Sequence, residues 1–184
     1  MNHLGTKKIE TARLILRPFV REDAGAMYRN WASDPEVTKY LTWPTYKSVD
    51  TAHEILDLWV PQYQDNTFYQ WAIELKELGE VIGSISVVSH DDRVELAHIG
   101  YCIGKNWWGQ GIMTDALDAV MTFLFDEVGV QRIESLHETN NPASGAVMRK
   151  CGMTFDGTHR RSQWCNQGIC DADWYAILKE EWRK

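Results

Sequence analysis

Residues 106–114 read NWWGQGIMT, and the two glycines, Gly109 and Gly111, stand directly before a helix-periodic run. Met113, Ala116, Leu117, Val120, Met121 and Leu124 fall on one face of that run, and Gly129 closes it. A strand-like stretch from about Val94 to Ile103 comes before. Strand, glycine turn and helix in that order leave first-turn backbone N–H groups aimed at whatever lies in front, at the positive end of the helix. Such a turn can cradle an anion, although a tight turn into a core helix would use the same glycines. The two common nucleotide motifs are absent. The third glycine of GxGxxG is replaced by Thr114, and no GxxxxGK[ST] occurs.

Working outward, RLILRPF (13–19) reads as a strand. Ala24, Met27, Tyr28 and Trp31 mark a helix face that Asp34-Pro35 interrupts. Ser48 can cap a second helix with Ala52, Ile55, Leu56 and Trp59 inward, ending near Pro61. Strands at 68–75 and 80–88 are joined by a turn at Glu77–Glu80. Behind the central helix lie a strand at 132–138 and a helix capped at Asn141-Pro142 that runs to Lys150. Two more strand-like stretches close the chain. The order predicts an α/β layered (α+β) domain over 1–184, with a mixed, mostly antiparallel central sheet flanked by helices.

Composition narrows the class. The net charge is −7 and Lys and Arg are scattered, which argues against a nucleic-acid partner. No apolar run is long enough for a membrane span and no signal-peptide core opens the chain, so a cytoplasmic protein is expected. Cys102, Cys151, Cys165 and Cys170 lack CxxC spacing and read as reduced thiols; no metal is expected.

Three stretches, RLILRPFVREDA, AHIGYCIGKNWWGQGIMTDAL and ETNNPASGAVMRKCGM, together resemble the Gcn5-related N-acetyltransferase (GNAT) superfamily and within it the RimJ/RimL branch of ribosomal-protein N-terminal acetyltransferases. The acyl-CoA signature Gln/Arg-x-x-Gly-x-Gly/Ala departs here only in its first residue, Asn106. The resemblance implies a GNAT fold with a splayed strand pair holding acetyl-CoA. Tyr101, Cys102 and Ile103 would lie along the pantetheine and Trp108, Gly109, Gln110, Gly111, Ile112, Met113 and Thr114 around the pyrophosphate, with Asn141 meeting the pantetheine and Ser144 near the sulfur. A backbone N–H near Ile103 would polarise the thioester carbonyl.

The implied chemistry is direct attack of a neutral amine on a thioester, which needs a base, an oxyanion site and an acid for the thiolate. The tyrosine that many members carry seven residues after the asparagine is Met148 here, whereas the serine proposed in RimL-like members matches Ser144. His98, His137 and Glu138 are the candidate bases, and the glutamate of the branch falls near Gln163. Trp43 and Tyr46 could rim the acceptor site, as could Trp31, although aromatics at helical spacing commonly fill cores. Asp34 and Glu36 could draw an ammonium. A protein N-terminal amine is the expected acceptor. A small amine, or an acyl-CoA-binding module without catalysis, remains the alternative, and both monomer and homodimer stay open.

Overall fold

In the computed structural model, residues 1–183 are described. The strands are β1 (Ile9–Glu10), β2 (Leu14–Pro18), β3 (Gln70–Leu75), β4 (Glu80–Asp91), β5 (Leu96–Ile103), β6 (Arg132–Glu138), β7 (Thr154–Cys165) and β8 (Gly168–Leu178). The helices are α1 (Ala24–Met27), α2 (Pro35–Thr38), α3 (Val49–Gln62), α4 (Ile112–Phe123) and α5 (Pro142–Lys150). The strands form one sheet in the order β1-β2-β3-β4-β5-β6-β8-β7. Every neighbouring pair is antiparallel except β5 and β6.

The sheet is buried on both faces because successive side chains alternate. Trp71, Ile73, Ile85, Ala97, Ile99 and Ile133 pack against the apolar stripe of α4. Ala72 and Val81 turn the other way, against Phe19, Met27, Trp31, Ala52 and Leu56 from the α1–α3 layer. Arg17 fastens that layer to the sheet, donating to both Asp23 oxygens and to Glu74.

The pairing of β5 with β6 is the feature that makes a site. Their ladder covers only Leu96–His98 against Arg132–Glu134, and beyond it the strands diverge. Ser135 Oγ donates to the Ile99 carbonyl at 2.7 Å where the ladder has ended. Backbone groups alternate in direction along an antiparallel pair, so Tyr101 and Ile103 also turn theirs into the wedge.

Several local expectations change. The first helix is a short α1 that widens into a π-type turn over Tyr28–Ala32, and the two-residue β1 was too short to leave a periodic signal. Asp34 both ends that segment and starts α2, where its carboxylate accepts Glu36 N–H at 2.8 Å. Ser48 and Asn141 begin helices without a side-chain capping bond.

Candidate active site

The glycine turn is built from below. Gly109 and Gly111 have φ of +72° and +74°, a region where a Cβ meets the following carbonyl, so glycine suits both positions. Arg13, on the approach to β2, donates to the Gln110 carbonyl at 2.9 Å and pairs with Asp115 in the first turn of α4. Trp108 folds back and its indole N–H donates to the Ile103 carbonyl at 2.9 Å, tying the turn to the end of β5. Among the described residues, the backbone N–H groups of Gly109 to Thr114 donate to no protein acceptor. Six adjacent free donors at a helix N-terminus fit a pyrophosphate.

A cavity of about 330 Å³ continues from this turn into the wedge. Tyr101, Cys102, Ile103, Trp108, Gly109, Gly111, Ile112, Met113, Thr114, Asn141 and Ser144 all line it. Gln110 does not. Its side chain donates back to the Asn106 carbonyl and its own carbonyl serves Arg13. The lining also includes Val37, Tyr40 and Leu41 around α2, Trp107, and Ala143, Ala146, Val147 and Lys150 from α5. These were invisible to sequence reasoning because nothing local says which loop will face the wedge. Only the 3.6-residue spacing of Ala143, Val147 and Lys150 on one helix face hinted at it.

α5 spans the cavity. At its first turn the Tyr101 hydroxyl donates to the Ser144 carbonyl at 2.9 Å, and Ser144 Oγ donates to the Tyr101 oxygen at 3.1 Å. At its end Cys151 Sγ lies 3.5 Å from the Thr114 carbonyl. Burial pushes the Tyr101 phenol above its ordinary range, only partly offset by the Ser144 hydrogen bond, so it stays protonated.

The candidate bases separate. His98 lies at the vertex of the wedge on the face toward the α1–α3 layer. Its Nδ1 is 3.6 Å from Glu134 and its ring stands 5.3 Å from Trp174. Burial lowers its pKa while Glu134 opposes the shift, which favours the neutral imidazole. His137 does not belong with it. Strand alternation turns it to the opposite face, where Nδ1 bonds the Glu138 carbonyl, the ring stacks on Tyr175, and Nε2 presses on Gly145 of α5. It is 5% exposed and shut away from the wedge. Glu138 is also spent: its carboxylate accepts Asn140 N–H, Asn140 Nδ2 and Thr139 Oγ1, folding the β6–α5 loop.

Trp31 is another correction. It is 1% exposed, packed against Phe19 in the α1–α3 core, and cannot meet a substrate. The Trp43 and Tyr46 rings meet at a tilt of 51°, their centroids 5.2 Å apart, on the loop after α2. Tyr46 packs near Cys102, and burial first, with Cys102 second, pushes its phenol up to about 12. Among the described residues, no protein group hydrogen-bonds its hydroxyl. Asp34 is occupied in capping and Glu36 pairs with Lys105, so neither is free for an ammonium. Asn166, in the β7–β8 turn, donates through Nδ2 to the Thr38 and Trp43 carbonyls and through N–H to Leu41, strapping that loop to the hairpin.

A strand-wedge cavity with a donor-rich turn at one end defines a class of acyl-CoA enzymes, and comparison with known proteins agrees. The family model for the acetyltransferase (GNAT) domain matches residues 13–154. The chain belongs to that family and is an acetyl-CoA-dependent N-acetyltransferase. It is 30% identical over 171 residues to the uncharacterized N-acetyltransferase YoaA of Bacillus subtilis (strain 168), covering 93% of this chain and 96% of the relative. It is 32% identical over 136 residues to the putative ribosomal N-acetyltransferase YdaF of the same organism, 73% of each chain. A solved structure of RimL, a ribosomal L7/L12 alpha-N-protein acetyltransferase in complex with coenzyme A, superposes with a TM-score of 0.81 at 23% identity, over 94% of this chain and 98% of that one.

Proposed function

We propose that this enzyme acetylates the α-amine of a protein N-terminus. The observation that carries the reading is the cavity itself, lined beyond the glycine turn by Val37, Tyr40 and Leu41 around α2, on a loop that Asn166 straps to the β7–β8 turn. The names of YdaF and of the ribosomal-protein-serine acetyltransferase of Escherichia coli (strain K12), 28% identical over 99 residues, support the same reading.

Acetyl-CoA supplies an activated acetyl thioester. The free N–H groups of the glycine turn hold its pyrophosphate, and the inward-facing backbone of Tyr101 receives its pantetheine arm as an added strand would. The Ile103 N–H polarises the carbonyl that the amine attacks. His98, at the vertex of the wedge and held toward its neutral form by burial, takes the amine proton directly or through a water. The C–S bond breaks as the new C–N bond is completed. Ser144 Oγ, hydrogen-bonded to Tyr101, relays a proton from water to the departing thiolate, and His98 returns its proton to solvent, so both side chains end as they began. Trp43 and Tyr46 wall the acceptor entrance.

Thiol release from acetyl-CoA should be followed against peptides with free Ala, Ser or Met N-termini, amino acids, spermidine and an aminoglycoside. Turnover with one peptide class, lost when its N-terminus is blocked, is expected. Ser144→Ala should lower kcat about 10–100-fold with little change in the KM for acetyl-CoA. Turnover confined to a small amine would replace the acceptor assignment.

A further inference from the structure

His3, His90 and Asp92 meet at the end of β4, beside Leu96 and thus at the opposite end of β5 from the wedge. One carboxylate oxygen, Asp92 Oδ1, lies 3.1 Å from His3 Nε2 and 3.0 Å from His90 Nδ1. The three donor atoms fall within 4.8 Å of one another. Two imidazole nitrogens and a carboxylate oxygen form a donor set suited to zinc and similar borderline cations. Bonds of about 2.0–2.1 Å in a tetrahedral site place neighbouring ligand atoms roughly 3.3 Å apart, so both carboxylate–imidazole edges already have nearly the required length.

Two further features prepare the cluster. His3 Nδ1 lies 3.0 Å from the Tyr69 hydroxyl, which also accepts Leu4 N–H. Tyr69 is buried and stacked on Trp71, so it holds the ring with Nε2 pointing to the carboxylate. The neighbouring cation, Arg93, is engaged by Asp91 and leaves Asp92 to the imidazoles.

We propose that His3, His90 and Asp92 form a divalent transition-metal site of the zinc class, completed by water, that fastens the N-terminal segment to the β4–β5 hairpin. The site stands apart from acetyl transfer and revises the expectation that no metal is bound. Its ligands were unreadable in the sequence because His3 is distant from the other two, and His90-Asp92 alone is a common surface pair.

The test is titration of Zn2+ into the metal-free 184-residue chain, with no tag added before Met1, by calorimetry and by thermal unfolding. One equivalent should bind and raise Tm. His90→Ala and Asp92→Asn should each weaken binding at least about tenfold and remove the Tm rise, and Tyr69→Phe should weaken it by about tenfold. Replacing both Cys165 and Cys170 with serine should leave binding intact, which separates this site from the thiols of the β7–β8 hairpin. Co2+ should give the visible d–d bands of a tetrahedral N/O site without thiolate charge transfer. Absence of binding in the wild type, undiminished binding in His90→Ala, or loss in the thiol variant overturns the proposal.

Discussion

Gly145 sits in α5 above the His137 ring, and a methyl group built on it collides with Nε2 and comes within 2.9 Å of Cδ2. In an unobstructed helix, glycine to alanine stabilises by about 0.8–1.0 kcal/mol. Here the ring has no room to yield. Its Nδ1 is bonded to the Glu138 carbonyl at 2.8 Å, and its face stacks on Tyr175, whose hydroxyl is held by Arg149. Forcing a methylene into such a site costs about 1–3 kcal/mol, and two overlaps place this case in the upper half. The net for Gly145→Ala is a destabilisation of about 1–2 kcal/mol, or roughly 3–6 °C in Tm for a chain of this length. Urea denaturation at constant m-value measures it. The decisive comparison is the same change in a His137→Ala background, where the obstruction is gone and alanine should stabilise by about 1 kcal/mol. A stabilised single variant, or equal effects in both backgrounds, would refute the packing assignment of His137.

Other perturbations follow from the same geometry. Gly83→Ala drives a Cβ into the Cys102 carbonyl and the Ile103 backbone across the β4–β5 ladder, so it should cost about 2–3 kcal/mol in a urea melt and weaken acetyl-CoA binding in calorimetry. Asn166→Ala removes two of the three bonds that hold the 38–43 loop to the hairpin, and steady-state kinetics should show the acceptor KM rising several-fold with a smaller change in kcat. Burial lowers the pKa of His98 below the ordinary value of about 6.5, so the unfolded chain takes up that proton first. Stability should be flat from this group above about pH 6.5 and fall as pH drops from there through the folded value, a limb that His98→Gln removes in pH-dependent denaturation.

The parts of the fold that a local pattern can carry were legible. The α4 stripe, the glycine turn and the 132–138 strand each combine a period with a stop signal, and the structure keeps them. The first helical region was less readable because Trp31 and its neighbours satisfy one helical face while the backbone widens into a π-type turn beneath them. Site residues divide the same way. Those next to the turn follow from chain geometry, whereas the bases depended on which sheet face each strand residue takes. His98 and His137 are alike as residues, yet strand alternation buries His137 under α5 and turns His98 to the opposite face, beside Glu134 and Trp174. No single-sequence signal placed Arg13 under the turn, 97 residues away from Gln110, or Asn166 against the 38–43 loop.

The most direct test of the acceptor assignment is to map the product on a peptide that carries both a free N-terminal amine and an internal lysine. After incubation with enzyme and acetyl-CoA, tandem mass spectrometry locates the acetyl group. The account predicts modification at the α-amine alone, abolished in a variant with Gly109 and Gly111 both changed to valine. Acetylation on the lysine ε-amine, or none on any peptide while a small amine turns over, would contradict it.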